Sequence, residues 1–301
     1  MAYKNVFIGT ERRIRVAQNQ LFIDEASIPL EDINSVMIEN RQCSVSSYAL
    51  SEFSKFGIAT YVCDEKHLPA GVLVPINRHS RYLEHIDLQL DASKPLLKRI
   101  WQTIVVGKIT NQALCLQYAG KDNSDRLQLM VSRVQSGDKA NTEARAAALY
   151  FRSLFGGDFI RREDSLINAA LNYGYSIIRG NIARSTTSYG FEPCLGINHS
   201  SNLNQFNLVD DFIECYRPLV DLFVFTNFTA GHTEDMEEEL SPDMKKRLFG
   251  LLNYDVSING GLYTVASSIN LFISSYLRSL MKKENAVQVP RLIGLREHRY
   301  E

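Results

Sequence analysis

The sequence predicts an α+β protein in which a small β-rich N-terminal domain, resembling a β-sandwich, precedes a larger all-α C-terminal domain. Residues 1 to 78 contain short β-branched runs separated by turn residues, which is the pattern of strands. From about residue 85 the apolar residues recur at helical spacing. We therefore predict a linker at residues 79 to 90 and the all-α domain at 91 to 301. With 45% hydrophobic residues, the chain has enough apolar material for a core.

Caps and breaking residues set the ends of the predicted elements. The β-rich part contains VFIGT, RRIRV, QLFID, INSVMIEN and IATYVCDE, and one helix, SVSSYALSEFSKF, ends before Gly57. The fifth C-terminal helix is expected to bend near Pro218. The helices of the C-terminal part are predicted within residues 94–117, 122–135, 141–156, 163–190, 204–225, 241–252 and 262–284.

Several classes of protein are disfavoured by the sequence. It has no run of about 18 apolar residues and no apolar signal segment near its start, so we expect a cytoplasmic protein without membrane association. The five cysteines form no C-x-x-C pair, which argues against a zinc ribbon. Gly107 and Lys108 lack the upstream glycine of a P-loop, because position 102 is Gln.

Charge is distributed unevenly along the chain. Residues 208 to 243 contain ten acids and one base, whereas the remainder has a net charge of +8. A basic body is compatible with binding a polyanion such as nucleic acid, although it does not require one. The acidic run at 234 to 240 is expected to be a solvated loop rather than a phosphate contact.

Two candidate site residues stand apart from this charge pattern. Glu143 extends the apolar face of the helix at 141–156 back by one turn, so it either sits at an exposed helix start or points into an enclosed cavity. His199 lies in the turn GINHS. A lone loop histidine is usually an ordinary surface residue, but a flexible turn of this kind is also able to aim an imidazole.

An acidic pair follows twelve residues later. Asp211 and Glu214 share one face of a predicted helix, opposite its apolar stripe, so taken alone they are expected on a solvated face. Two neighbouring carboxylates repel unless a cation separates them. Together with Glu143 and His199 they offer oxygen and nitrogen ligands without sulfur, a set that suits Mg²⁺ or Mn²⁺.

Four segments carry a resemblance to a known family. NTEARAAALYF, SLINAALNYGYSIIR, LGINHS and LVDDFIECYRPLVD, in that order, resemble the CRISPR-associated spacer integrase and endonuclease, the universal integrase subunit of CRISPR adaptation. The resemblance covers essentially the whole chain, and the compact length is similar to the type II form. It implies an N-terminal β domain followed by a helical catalytic domain.

The resemblance also implies a site. The family's metal-binding glutamate, histidine and final acid fall on Glu143, His199 and Glu214, with Asp211 as a supporting acid. Many members have Asp as the last ligand, so the sequence leaves open whether Glu214 or Asp211 lies closer to the metal, and we favour Glu214. The implied reaction is metal-dependent transesterification: the 3′-hydroxyl of a short spacer DNA attacks a phosphodiester of the CRISPR repeat.

Further residues are predicted to contact DNA. Tyr173 and Tyr175 are candidates for stacking on a splayed base, with helix packing as the alternative. Arg217 is a candidate phosphate contact, with pairing to Asp210 or Asp211 as the alternative, and Asn172 is a candidate hydrogen-bond donor. The remaining bases are candidates for backbone contacts: Arg78, Arg81, Lys98, Arg99, Arg145, Arg179 and Arg184.

The implied partners are double-stranded DNA, as spacer precursor and as repeat, and other proteins. The resemblance implies a homodimer formed through the β domain, and a heterohexamer with a small ferredoxin-like adaptation partner. It also suggests the RNA-guided effector nuclease and an accessory adaptation protein as partners. Two alternatives stay open: a metal-dependent nuclease of branched DNA that uses the same residues, and a non-catalytic DNA-binding scaffold in which these residues only support helix packing.

Overall fold

The computed structural model describes residues 3–65, 68–73, 81–229 and 239–299. Strands dominate up to residue 73 and helices dominate after it, which confirms the predicted α+β order. Within these residues, no helix is both long and apolar enough to cross a bilayer. Arg78 and most of the acidic run at 234–240 lie outside the described residues.

In the described part of the N-terminal region, eight strands make up two four-stranded sheets. One sheet has the order β1-β5-β7-β8 and the other β4-β3-β2-β6. The β2–β3 hairpin turns at Gln18 and Asn19, both at positive φ, a conformation that asparagine adopts more readily than most residues. The strands are β1 (Lys4–Ile8), β2 (Arg13–Ala17), β3 (Gln20–Ile23), β4 (Ala26–Pro29), β5 (Ile33–Ile38), β6 (Ser44–Val45), β7 (Ala59–Cys63) and β8 (Pro69–Leu73).

The first sheet has a core on each face. Side chains of both sheets and of helix α1 (Ser47–Phe56) form one cluster, which includes Ile14, Val36 and Phe53. Met37 and Tyr61 belong instead to the large core of the helical region, and Tyr61 Oη donates a hydrogen bond of 2.8 Å to the carbonyl of Ile177. All six residues of β5 are therefore buried.

Two long helices organise the C-terminal region: α3 (Lys94–Tyr118) contacts α4, α5, α7 and α8, and α6 (Leu166–Ser188) contacts α7, α8, α9 and α10. Helix α2 occupies most of the predicted linker, and its His85 and Gln89 are buried and bonded to the chain at 189–195. The division into two domains stays a prediction. The helices are α2 (Tyr82–Leu90), α3 (Lys94–Tyr118), α4 (Ser124–Val131), α5 (Thr142–Phe155), α6 (Leu166–Ser188), α7 (Asn207–Ile213), α8 (Arg217–Phe228), α9 (Pro242–Phe249) and α10 (Val265–Lys282).

The description of this region as all-α needs a correction. Three strands, β9 (Tyr254–Ile258), β10 (Gly261–Thr264) and β11 (Arg291–Glu297), form a sheet of order β10-β9-β11. The β9–β10 hairpin turns at Asn259 and Gly260, with φ of 51° and 81°. An Asn-Gly pair between β-branched runs is a strong hairpin signal, so this sheet was detectable in the sequence.

The helix predicted over 204–225 is divided in two. Helix α7 ends at Ile213, three residues form a turn, and α8 begins at Arg217 with Pro218 in its first turn. The expected bend near Pro218 is thus confirmed. The division frees the carbonyl of Cys215, which accepts a hydrogen bond of 2.8 Å from the Asn111 amide of α3.

Candidate active site

A buried carboxylate fixes the loop that carries the predicted histidine. Asp211 of α7 is completely buried, and it accepts backbone N–H bonds from Ile197, Asn198 and His199 at 2.5, 3.0 and 3.2 Å. Its Oδ1 also accepts a bond of 2.7 Å from Nδ1 of His199. With Nδ1 held in this way, Nε2 is the nitrogen that faces away from Asp211 and is able to bind a ligand. Asp211 therefore positions His199.

The loop approaches α7 so closely that only glycine fits at its start. A Cβ atom on Gly196 would lie 2.2 Å from the carbonyl oxygen of His199 and 3.0 Å from Oδ2 of Asp211. Asn207 closes the same loop, because its amide donates to the carbonyls of Cys194 and Ser201 at 3.1 and 3.0 Å.

The two predicted glutamates meet around a lysine that the sequence analysis did not select. Nζ of Lys108 donates a bond of 2.6 Å to Oε1 of Glu143, and it forms an ion pair with Oε2 of Glu214. The side chains of Lys108, Glu143 and Glu214 are only 11%, 23% and 7% exposed to solvent, respectively. The expectation that Glu214 and Asp211 lie on a solvated face is thus wrong: both are buried.

The position of Lys108 follows from the apolar stripe of α3. Ile100, Trp101, Ile104 and Val105 are buried, and Lys108 lies one turn beyond Ile104 on the same face. A lysine on an apolar stripe is expected to need a buried anionic partner. That signal was present in the sequence, but Lys108 was considered only as part of an incomplete P-loop.

The charges of this cluster sustain one another. Burial alone would raise the pKa of Glu214, but the adjacent charges of Lys108 and Arg217 lower it to about 2. Burial alone would lower the pKa of Lys108, but the carboxylates of Glu214 and Glu143 outweigh it and raise the pKa. The hydrogen bond to Asp211 raises the pKa of His199. Glu214 and Lys108 are consequently both charged at neutral pH.

An open cavity on the surface has Glu214 and His199 in its wall. Three arginines, Arg161, Arg179 and Arg217, also line it. Arg217 pairs with Oε1 of Glu214 at 2.8 Å, rather than with either aspartate considered in the sequence analysis. Asp210 pairs instead with Arg179, at 2.6 and 3.0 Å.

Arg161 differs from the other two arginines in its partners. It donates to the amide oxygens of Asn168 and Asn172, at 3.1 and 2.8 Å, and no carboxylate lies within ion-pair distance of it in the part of the chain that the structure describes. Neutral acceptors hold a guanidinium in place without offsetting its charge. Asn172 thus orients a cation at the cavity.

The two candidate tyrosines differ in their surroundings. Tyr173 is completely buried, which favours the packing alternative and leaves its ring out of reach of a base. Tyr175 lines the cavity, and the guanidiniums of Arg161 and Arg217 lie 5.3 and 4.6 Å from its ring centre. Its hydroxyl donates to the buried carboxylate of Asp221, which also accepts from Tyr150 at 2.9 Å.

Asp221 is expected to make the stability of the protein depend on pH. Burial raises its pKa from 3.8 to about 6, so the folded protein holds this proton at pH values where the unfolded chain has lost it. The contribution of Asp221 to the free energy of unfolding should therefore fall by about 3 kcal/mol between pH 4 and 6 and stay lower above that range. Urea unfolding of wild type and Asp221→Asn across this range should show the fall in wild type only. An equal pH dependence in both proteins would refute the assignment.

The other predicted DNA contacts lie outside the cavity. Arg145 is exposed on α5, Lys98 and Arg99 are exposed on α3, and Arg81 is exposed beside Glu84. Arg184 is half-buried and donates to Asn34 at 3.0 Å. None of these lines the cavity with His199, and their predicted backbone contacts stay predictions.

The donor set fits a divalent cation, although it is not arranged as a finished metal site. Within the described residues, no three acidic, histidine or cysteine side chains already form a group able to hold a metal. Oε2 of Glu214 is buried and accepts no hydrogen bond of regular geometry there, and its contact is the ion pair with Lys108. Two carboxylates around a cation and an available imidazole nitrogen are the ligands that Mg²⁺ or Mn²⁺ would take.

Comparison with known proteins agrees with the segment-based resemblance. A model of the family described as CRISPR associated protein Cas1 matches residues 6–248. A CRISPR-associated endonuclease Cas1 from Neisseria meningitidis serogroup C is 38% identical, and the alignment covers 100% of both chains. One from Francisella tularensis subsp. novicida is 26% identical over 71% of this chain and 73% of its own length.

Solved structures share the fold at low sequence identity. A casposase bound to its integration product matches with a TM-score of 0.76 and 18% identity, over 94% of this chain and 92% of the other. A CAS1 protein from Thermotoga maritima matches with a TM-score of 0.73 and 16% identity, over 94% and 99%. A third match, with a TM-score of 0.70 and 17% identity, is a Cas6-RT-Cas1–Cas2 complex, where 94% of this chain aligns to 35% of the other.

Proposed function

Because the chain belongs to the Cas1 family of CRISPR-associated proteins, we propose that it joins the 3′ ends of short spacer DNA to a CRISPR repeat by metal-dependent transesterification. As a Cas1, it is an endonuclease and integrase of CRISPR adaptation. The observation that carries the proposal is that Glu143 and Glu214 converge on the same ammonium group, that of Lys108. This cluster lies beside a cavity that Glu214 and His199 line.

The reaction exchanges one phosphodiester for another. The oxygen of the donor 3′-hydroxyl attacks the phosphorus of the repeat, a new P–O bond forms, and the bond to the displaced 3′-oxygen breaks. A bound Mg²⁺ or Mn²⁺ would lower the pKa of the attacking hydroxyl and stabilise charge on the phosphoryl oxygens. Glu143, Glu214 and Nε2 of His199 would hold it. No energy-supplying nucleotide is needed, because the number of phosphodiester bonds is conserved.

The chain's own residues would position the metal ligands and the target strand. Asp211 holds the His199 imidazole with Nε2 directed away from it, and Arg217 fixes the Glu214 carboxylate. Arg161 carries the cavity's guanidinium without a carboxylate partner in the described part of the chain, so it would bind a phosphate of the target strand. These contacts would hold the metal ligands and one phosphate of the target strand in fixed relative positions.

Removal of the Arg161 charge is expected to weaken DNA binding. Arg161→Ala should reduce affinity about tenfold near 0.1 M salt and lower the slope of log affinity against log salt by about 1, because one phosphate contact is lost. Fluorescence anisotropy over a salt series measures both. Arg126→Ala is the matched control, since Arg126 is exposed and is also bound to a neutral amide oxygen, at 3.0 Å. Equal slopes for wild type and Arg161→Ala would contradict the assignment.

Partners follow from the same proposal. The protein would act as a homodimer through its N-terminal strands, and two dimers would flank a dimer of a small ferredoxin-like Cas2 partner. Support comes from a structural neighbour that is a complex of a Cas1-containing chain with Cas2. The alternatives are a nuclease of branched DNA and a non-catalytic scaffold.

The chemistry of the donor end separates joining from hydrolysis. A short duplex with 3′-hydroxyl ends, a plasmid carrying a CRISPR repeat, the Cas2 partner and Mn²⁺ should give joined products. The same duplex with 3′-deoxy ends should give none, because its attacking oxygen is missing. Cleavage that is equal for both donors, without joining, would favour the nuclease. DNA binding without either reaction would favour the scaffold.

A further inference from the structure

The carboxylates proposed to bind a metal are already occupied by a cation of the chain itself. Oε1 of Glu143 and Oε2 of Glu214 both contact Nζ of Lys108, while the other oxygen of Glu214 is held by Arg217. The two helices that carry the glutamates are thus connected through one ammonium group. Lys108 is 9% exposed as a residue, so its charge depends on these partners.

Loss of the lysine would leave the two carboxylates facing each other. Two largely buried carboxylates that lie within ion-pair distance of the same point repel each other strongly. One of the two carboxylates would then have to take up a proton or a cation. The ammonium therefore stabilises the arrangement of Glu143 and Glu214 in the metal-free protein. Asn111, one turn further along α3, holds the chain just after Glu214 by its bond of 2.8 Å to the Cys215 carbonyl, so α3 fixes both the charge and the backbone of this site.

We propose that Lys108 is a placeholder cation, which assembles the two carboxylates before the metal ion arrives and which the ion must displace from at least one of them. This inference rests on the proposed function, since it concerns the same carboxylates. On Glu214, a divalent ion needs the oxygen that Lys108 contacts, because the other oxygen is engaged by Arg217. Metal affinity is then set by competition with Lys108, and the displaced ammonium is left beside the cavity, where a DNA phosphate would bind.

Direct Mn²⁺ binding without DNA tests the competition. Mn²⁺ affinity is measured by isothermal titration calorimetry and checked by the electron paramagnetic resonance signal of free Mn²⁺. Lys108→Met should bind Mn²⁺ at least about tenfold more tightly than wild type, because a nearby positive charge has been removed. Lys108→Arg keeps the charge and should stay within about threefold of wild type. Lys94→Met is the matched control, because Lys94 is exposed on the same helix. Equal or weaker Mn²⁺ binding by Lys108→Met would overturn the proposal.

Thermal unfolding gives a second readout, which stays informative if Lys108→Met is less stable than wild type. Without metal, Lys108→Met should melt at a lower temperature than wild type, and added Mn²⁺ should raise its melting temperature more. An equal rise in both proteins would overturn the placeholder role. Glu143→Gln separates this inference from the metal site: if it leaves Mn²⁺ binding unchanged, the metal site itself is wrong. If it abolishes binding while Lys108→Met does not tighten it, only the role of Lys108 is wrong.

Discussion

Glu143→Gln is expected to reduce DNA joining by about 1000-fold or more while leaving DNA affinity nearly unchanged. The substitution keeps the size of the side chain and its place in the first turn of α5, but it removes a charge that would bind the metal. Loss of a ligand that polarises the reacting oxygens costs several kcal/mol of transition-state stabilisation, and each 1.36 kcal/mol corresponds to a factor of ten. Initial rates of joining and equilibrium binding, measured on the same preparations, test both halves.

A matched variant guards against a general effect of charge. Asp125 is also an acid in the first turn of a helix, is exposed on α4 and does not line the cavity. Asp125→Asn should join DNA at the wild-type rate. If Glu143→Gln retains activity within about tenfold of wild type, Glu143 is not a ligand and the site has been assigned wrongly. If it loses DNA affinity to the same extent as activity, its role is structural.

Asp211→Asn is expected to affect both stability and activity. The carboxylate accepts three backbone N–H bonds and the imidazole N–H, and an amide replaces one of its two acceptor oxygens with a donor. Buried N–H groups left without a partner cost about 1–3 kcal/mol each, so the free energy of unfolding should fall by about 2–4 kcal/mol. Because His199 would lose its orientation, the folded protein should join DNA about 100-fold more slowly.

Asp255 offers a control of the same kind elsewhere in the fold. It is buried in β9, and its Oδ1 accepts a bond of 2.7 Å from Nδ1 of His298, the same geometry as the pair of Asp211 and His199. Asp255→Asn should also destabilise the protein, yet its folded fraction should join DNA at the wild-type rate. Comparing both variants at a temperature where each is folded separates positioning of His199 from general stability. Equal activities would show that Asp211 only supports the fold.

The sequence predicted those helices and strands whose apolar residues recur at a regular spacing and whose ends carry turn or capping residues. The end of α1 at Gly57 was predicted correctly, whereas its predicted start at Ser44 was two residues early: Ser44 and Val45 form β6, and Ser46 caps the helix. In the sheet of β9, β10 and β11, strand β10 was missed because it leads directly into α10 and was included in the helix predicted over 262–284. The Asn259-Gly260 turn is the signal that would have separated the two.

The candidate site, like the fold, was predicted from the sequence only in part. Glu143, His199 and Glu214 were predicted from segments that resemble a family. The fold brings the two glutamates into contact with the same ammonium group, that of Lys108. The burial of Asp211 and Glu214 was not predictable from their own segment, because Asp211 is covered by the loop at 196–199 and Glu214 contacts Lys108 of α3. The position of Lys108 on the apolar stripe of α3 indicated a buried lysine, but the identity of its partners was not predictable, because they lie 35 residues or more along the chain.

The most direct test of the proposed activity is a joining assay that varies the metal and His199 together. The purified protein, its Cas2 partner, a short duplex with free 3′ ends and a supercoiled plasmid carrying a CRISPR repeat are incubated with Mn²⁺, with a chelator, and with His199→Ala in place of wild type. Joined products should form only when both the metal and His199 are present. Joining that persists in the chelator, or that His199→Ala supports at the wild-type rate, would contradict the assignment of this site.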